Sequence, residues 1–128
     1  MINYINYKIF EKISISKSIE KMEKNDLKIL FVIDKKNKLL GSVTDGDIRR
    51  ALIKKKSLNS TIYSVCNKKP FYFTKNKIKM EKIYKIFSNR LNHIEAIPIV
   101  QKKGKKIIKI ITRNDLTNKV KKRDDKLT

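Results

Sequence analysis

The chain has 128 residues and a formal net charge of +21, from 33 Lys and Arg against 12 Asp and Glu. Forty per cent of it is hydrophobic, which supports the core of one domain but not of two independent ones. No apolar run approaches the roughly 18 residues of a membrane span, the start lacks a secretory pattern, and the single cysteine, Cys66, excludes an internal disulfide, so a reducing, cytoplasmic setting is expected.

The charge first suggests a polyanion, because clustered Lys and Arg neutralise phosphates. Its make-up argues otherwise. Only Arg49, Arg50, Arg90, Arg113 and Arg123 are Arg; the other basic residues are Lys, spread along the whole chain. Lys, Ile and Asn abound while Ala occurs only at Ala51 and Ala96, the bias of an A+T-rich coding sequence. A solvated surface or an acidic protein partner fits this better than nucleic acid.

In chain order, residues 7–13 read as a short lead-in strand. Ser16 is a good N-cap for a helix carrying Ile19 and Met22 on one side. Residues 27–33 (LKILFVI) form a strand, 34–38 a polar turn and 39–43 the returning strand. Thr44-Asp45-Gly46-Asp47 opens a helix that stops in Lys54-Lys55-Lys56. The order then recurs. Residues 69–74 are an extended lead-in, and 77–91 have helical apolar spacing through Ile78, Met80, Ile83, Ile86, Phe87 and Leu91. Residues 96–100 are a strand with Pro98 near its start, 101–104 a turn and 106–111 the returning strand. Thr112-Arg113-Asn114-Asp115 opens a last helix through about Lys122, and 123–128 form a polar tail.

Two α/β units therefore repeat. They divide the chain at 1–66 and 67–122, each with a small mixed sheet flanked by helices. Neither unit buries its sheet alone, so they should pack together with pseudo-two-fold symmetry.

Each unit closes with Thr-x-x-Asp at a strand-to-helix junction. The first turn of a helix presents unpaired N–H groups and the positive end of its dipole. A Thr there can donate to a phosphate oxygen, and a carboxylate three residues on can accept from the two hydroxyls of a ribose. The same residues also make a capping box, and the two roles are compatible. His93 reads as a polar loop residue and Cys66 as a buried thiol. Phe71, Tyr72 and Phe73 alternate along an extended segment, so at least one is core. No Gly-rich phosphate loop, Ser/His/Asp set or acid–base carboxylate pair is present, so no enzyme motif is.

The run 40–49 (LGSVTDGDIR) in the first copy, with 96–100 (AIPIV) and 110–116 (IITRNDL) in the second, resembles a tandem pair of CBS domains, a Bateman module, from about residue 13 to 119. The resemblance implies a regulatory, non-catalytic pair needing no cofactor, with clefts between the repeats for an AMP-, ADP- or ATP-type ligand. It places Thr44 and Asp47 in one cleft and Thr112 and Asp115 in the other. Adenine would sit near Ile15-Ser16 and Phe73-Thr74, and Pro98 and Ile99 would wall the second cleft. It also implies a homodimer, for which Ile48, Leu52, Ile53, Leu116 and Val120 offer an apolar surface.

The copies differ. Gly41, which would let a ligand approach the backbone, is matched by Lys109. Arg113 could meet a phosphate bidentately where the first copy has a repelling Asp45, with Arg49 and Arg50 one turn onward; at most one well-occupied site is expected, the second being favoured for a charged nucleotide. Residues 44–50 (TDGDIRR) further resemble CBS pairs placed ahead of sugar-phosphate nucleotidyltransferase domains, which would make such an enzyme the regulated partner, in cis or in trans. A ligand-free dimerisation module and a basic nucleic-acid binder are the competing readings.

Overall fold

A computed structural model of the chain describes residues 4–89 and 91–116. It contains two three-stranded mixed sheets of matching topology, with strand orders β1-β2-β3 and β4-β5-β6. In the first, β1 (Lys8–Phe10) lies parallel to β2 (Ile29–Ile33), which pairs antiparallel with β3 (Leu39–Thr44). In the second, β4 (Phe73–Thr74) lies parallel to β5 (Ala96–Val100), antiparallel to β6 (Ile107–Thr112). Ile29 stands opposite Thr44 as Ala96 stands opposite Thr112. The register shift between Val32 and Ile33 recurs between Ile99 and Val100.

Helix α1 (Ile15–Glu23) begins at a different serine from the one expected. Ser14, extended at φ −69° and ψ 157°, is its N-cap, and its Oγ accepts from Lys17 N. Ser16 is exposed inside the first turn, and its backbone N donates to Leu58 O at 3.0 Å. With Ser14 as cap, Ile15 and Met22 both face the core, along with Ser18, whose Oγ returns to Ser14 O at 2.8 Å. β2 starts at Ile29 rather than residue 27, because Asn25 Oδ1 takes both Leu27 N and Lys28 N and Lys28 turns left-handed at φ 54°.

Helix α2 (Asp45–Ile53) follows β3 directly, and α3 (Met80–Ser88) covers the second sheet. The expected helix over 77–91 is shorter at both ends. Residues Lys75–Lys77 form a 3-10 turn, and Asn89 Oδ1 takes Leu91 N, leaving Leu91 89% exposed. Of the second lead-in only Phe73 and Thr74 pair. Pro98 stands mid-strand, fully buried; its missing donor is tolerated because β4 reaches only Ile99 and Val100. Residues 113–116 are helical; the rest of the expected last helix, Val120 and the tail lie outside the described residues.

The core has three parts. Ile9, Ile15, Leu30, Val32, Val43 and Ile48 fill the first repeat; Ile83, Phe87, Ile97, Ile99, Ile111 and Leu116 fill the second. A third cluster joins them, with Phe31 and Leu39 of the first sheet against Ala96, Val100, Ile107 and Ile110 of the second. The hairpins also bond: Ile107 N donates to Asn37 O at 3.1 Å, Asn37 Nδ2 to Ile107 O at 2.9 Å and Leu39 N to Lys105 O at 3.0 Å. Ile48 and Leu116, expected on a dimer surface, are 4% and 5% exposed because each plugs its own repeat. Leu52 and Ile53 remain exposed, at 38% and 73%.

Candidate functional site

At the first junction, Thr44 is extended (φ −109°, ψ 167°) and caps α2. Its Oγ1 accepts from Asp47 N at 3.2 Å, and Asp47 Oδ2 accepts from Thr44 N at 2.9 Å. The second junction repeats this arrangement: Thr112 Oγ1 accepts from Asp115 N at 3.2 Å, and Asp115 Oδ2 from Thr112 N at 2.9 Å. Both carboxylates are thereby held at a helix N-terminus with one oxygen used for capping.

The remaining oxygens differ. Arg50 Nη2 donates to Asp47 Oδ1 at 2.7 Å, a half-exposed ion pair one turn along the helix. Asp115 is exposed, and among the described residues its Oδ1 has no hydrogen-bond partner. Asp45 does not stand alone against an anion, because Arg49 pairs with it at 2.7 Å.

A cleft of about 310 Å³ opens beside Asp47, lined by Arg50, Ala51, Lys54, Lys56, Ser64 and Val65. Its shape follows from how α2 ends. Lys55 adopts the left-handed conformation at φ 64°, and Lys55 N and Lys56 N turn back to Leu52 O and Ala51 O. This Schellman closure brings Lys56 back over the helix. Among the described residues, three cations thus share one cleft with a single carboxylate. Sequence reasoning missed Lys54, Lys56 and Ser64; the Lys54-Lys55-Lys56 run was the available signal, but it reads as a helix stop. The cleft lies between α2 and the 3-10 turn Ile62–Val65 rather than between the two repeats.

Arg113 does not reach toward a phosphate. Its guanidinium donates to the Phe87 and Ile94 carbonyls and to Glu95 Oε2, and lies 5.5 Å from the Phe87 ring. It braces the end of α3 against the entry to β5. The electrostatic reason for favouring the second junction therefore falls away.

The glycine difference also has an internal cause. A Cβ on Gly41 would stand 2.6 Å from both Asn67 O and Cys66 Sγ. The backbone approaching Gly41 is the chain's own linker, bonded to β3 through Ser42 N to Asn67 O (3.0 Å) and Asn67 N to Ser42 O (2.8 Å). Lys109 is exposed, so a side chain fits there.

Of the other expected site residues, Thr74 and Pro98 lie on the paired strands β4 and β5, and Ser16 lies on α1 of the first repeat. Ser16 is exposed on α1, Thr74 is half-buried at the end of β4 opposite Val100, and Pro98 is covered inside β5. Cys66 is buried, and that burial pushes its thiol above the usual range, as suits a packing residue rather than a nucleophile. His93 is exposed.

These features define a tandem α+β repeat whose sheets share a core and whose helices open on matched Thr–Asp pairs. The CBS domain family model matches residues 6–54 and 62–122, and the chain belongs to that family. No similarity to a curated protein sequence was found. Among solved structures the chain is similar to the putative acetoin utilization protein AcuB from Vibrio cholerae, with TM-score 0.75, 18% identity, and 93% of this chain and 85% of that one covered. It is also similar to the CBS domain pair of protein MJ0100 in complex with 5′-methylthioadenosine and S-adenosyl-L-methionine (TM-score 0.68, 21% identity, 91% and 88% covered). A third is the cytosolic domain of the Mg2+ channel MgtE in complex with ATP (TM-score 0.67, 16% identity), which the chain matches over 88% of its own length and 44% of that one. No helix among the described residues is long and apolar enough to cross a membrane.

Proposed function

We propose that this chain is a regulatory module that senses an adenosine-type nucleotide (AMP, ADP or ATP) through its Thr-x-x-Asp junctions and biases an attached or partner enzyme. The observation that carries the reading is the identical cap geometry at Thr44/Asp47 and Thr112/Asp115, with N–H to carboxylate distances of 2.9 Å in both. A carboxylate fixed at a helix N-terminus is pre-oriented for a ribose diol, and the helix dipole favours the phosphate that follows it. The adenosine ligands of MJ0100 and the ATP of MgtE support the ligand class.

The first junction is the site for the more highly charged nucleotides. Arg50, Lys54 and Lys56 surround Asp47, and Arg50 can exchange its carboxylate partner for a phosphate. The second junction, where among the described residues Asp115 Oδ1 has no hydrogen-bond partner and Arg113 bonds Phe87 O, Ile94 O and Glu95, suits the nucleoside end of a ligand. Among the remaining expected contacts, Ser16 is exposed, Thr74 is partly exposed, and Pro98 is buried in β5. Ligand that binds one arrangement of the two repeats better than another shifts their equilibrium. The effect would pass to a homodimer partner through Leu52 and Ile53, and to the regulated enzyme, a sugar-1-phosphate nucleotidyltransferase on the strength of the run 44–50 alone.

Thermal melts with AMP, ADP and ATP at millimolar concentration test the reading. A rise in melting temperature that saturates with ligand is expected, and no rise with any of the three contradicts it.

A further inference from the structure

The two repeats finish their first helices differently. Helix α1 closes on its own chain: Lys24 N donates to Lys21 O and Asn25 N to Met22 O, both at 3.1 Å. In α3 the closing residue, Asn89, is extended (φ −82°, ψ 103°), and its N–H returns to Lys85 O at 3.2 Å. The next two carbonyls are met by side chains from further along the chain. Asn92 Nδ2 donates to Ile86 O at 2.9 Å, and Arg113 Nη1 donates to Phe87 O. The last carbonyls of a helix have no partner within it and carry the negative end of its dipole, so a guanidinium suits them.

Arg113 follows Thr112 directly, so the side chain that closes α3 comes from the turn that carries Thr112 and Asp115. Its Nη2 and Nε continue to Ile94 O at 3.0 Å and Glu95 Oε2 at 3.3 Å, and its backbone N donates to Glu95 O at 3.1 Å. A planar fork held by several acceptors moves with its partners. A displacement of the junction is therefore passed to Phe87, at the end of α3.

The first junction has the backbone half of this link and not the side-chain half. Asp45 N donates to Lys28 O at 3.3 Å, as Arg113 N does to Glu95 O. The Asp45 carboxylate turns to Arg49 on its own helix, at 2.7 Å. Among the described residues, no side-chain bond joins the run Thr44–Asp47 to α1. The loop before β2 is held instead by Asn25, through Leu27 N, Lys28 N and Ile29 O.

We infer that Arg113 is a positioning residue that transmits occupancy of the second junction to the end of α3, and that the first junction has no such route to α1. The ligand's identity rests on the nucleotide reading above; the link itself does not. The two junctions are then unequal in output. A ligand met by Asp115 shifts the end of α3, whereas one met by Asp47 leaves the end of α1 in place. By linkage, a partner that grips the end of α3 changes the affinity of the second junction.

Amide NMR spectra of the full chain test the link. Asp115→Asn removes the charge at the junction and keeps an acceptor for Thr112 N. It should shift the amides of Phe87, Ser88 and Asn89, whereas Asp47→Asn should leave those of Met22, Glu23 and Lys24 in place. In Arg113→Lys, which keeps the charge but not the fork, Asp115→Asn should still shift Thr112 and its neighbours but no longer reach α3. A general loosening of the fold would not remove one response and spare the other. The comparison of Asp115→Asn with Asp47→Asn leaves Arg113 intact, so it stands whatever Arg113→Lys does to stability. AMP added to the parent should move the same three α3 amides. The inference is overturned if Asp115→Asn leaves α3 unmoved, if Asp47→Asn moves the end of α1 equally, if the α3 response survives in Arg113→Lys, or if AMP shifts Thr112 and Asp115 without Phe87, Ser88 and Asn89. AMP that shifts none of these residues counts against the nucleotide reading instead, and the Asp115→Asn comparison alone then decides the link.

Discussion

Gly41 and Asn67 are packed backbone to backbone, so closely that a Cβ on Gly41 would stand 2.6 Å from the Asn67 carbonyl oxygen. The contact fixes the linker along β3 and sets where the second repeat begins. Gly41→Ala must push Asn67 and Cys66 away together, and neither is the loose end of a flexible side chain. A loss of about 1–3 kcal/mol is expected, the usual range for overpacking. Urea unfolding measures it, with Lys109→Ala at the equivalent exposed position as the near-neutral control.

Arg113 gives a second test. Arg113→Ala removes the guanidinium that joins Phe87 O, Ile94 O and Glu95, and leaves two carbonyls to find water. The expected cost is about 2 kcal/mol. Arg113→Lys should recover little of it, because one ammonium cannot reproduce a planar fork. Denaturant midpoints of the three proteins decide the matter. If Arg113→Lys equals the parent, the brace is not a fork.

The start of α1 separates two serines. Ser14→Ala should cost about 1 kcal/mol through the lost cap, whereas Ser16→Ala should stay within about 0.5 kcal/mol. The reverse order in thermal melts would return the cap to Ser16.

Alkaline pH probes the N-terminal turn. Burial, the hydrogen bond to Asp26 at 2.8 Å, and the charges of Asp26 and Asp115 push the Tyr7 phenol from 10.0 up to about 12. Folding therefore favours the neutral phenol. Its contribution is fully present below pH 10.0 and is lost as pH rises through about 12. Lysines titrate in the same range, so the signal is the difference between the parent and Tyr7→Phe. The parent should lose more stability than the variant over that window, and parallel curves would show that Tyr7 is not perturbed.

Much of the fold was legible because it rests on local pattern. β5 was placed at the right residues by its apolar run, and the two Thr-x-x-Asp junctions aligned the repeats before any contact was known. The failures share a cause: each depends on what comes near from elsewhere in the chain. Ser14 and Ser16 are equally good caps in isolation, and the turn at residues 57–61 bonding back to α1 goes with Ser14. Gly41 reads as room for a ligand until Asn67 is seen beside it. Arg113 reads as a phosphate ligand until Phe87, Ile94 and Glu95 surround it. Ile48 and Leu116 read as surface because helix spacing gives a face but not which neighbour covers it. The cleft cations Lys54 and Lys56 were hidden because a lysine run says nothing of the left-handed turn at Lys55 that folds it back.

The central claim is that the Asp47 and Asp115 carboxylates meet a nucleotide as well as capping their helices. Asparagine can still accept from the Thr44 and Thr112 amides but carries no charge, so Asp→Asn separates the two roles. Isothermal titration of ATP and AMP into the parent, Asp47→Asn and Asp115→Asn is the most direct measurement. The account predicts saturable heat for the parent, at least tenfold weaker ATP binding in Asp47→Asn at nearly unchanged stability, and a smaller loss in Asp115→Asn. Equal heats for all three proteins, or none for the parent, would contradict it.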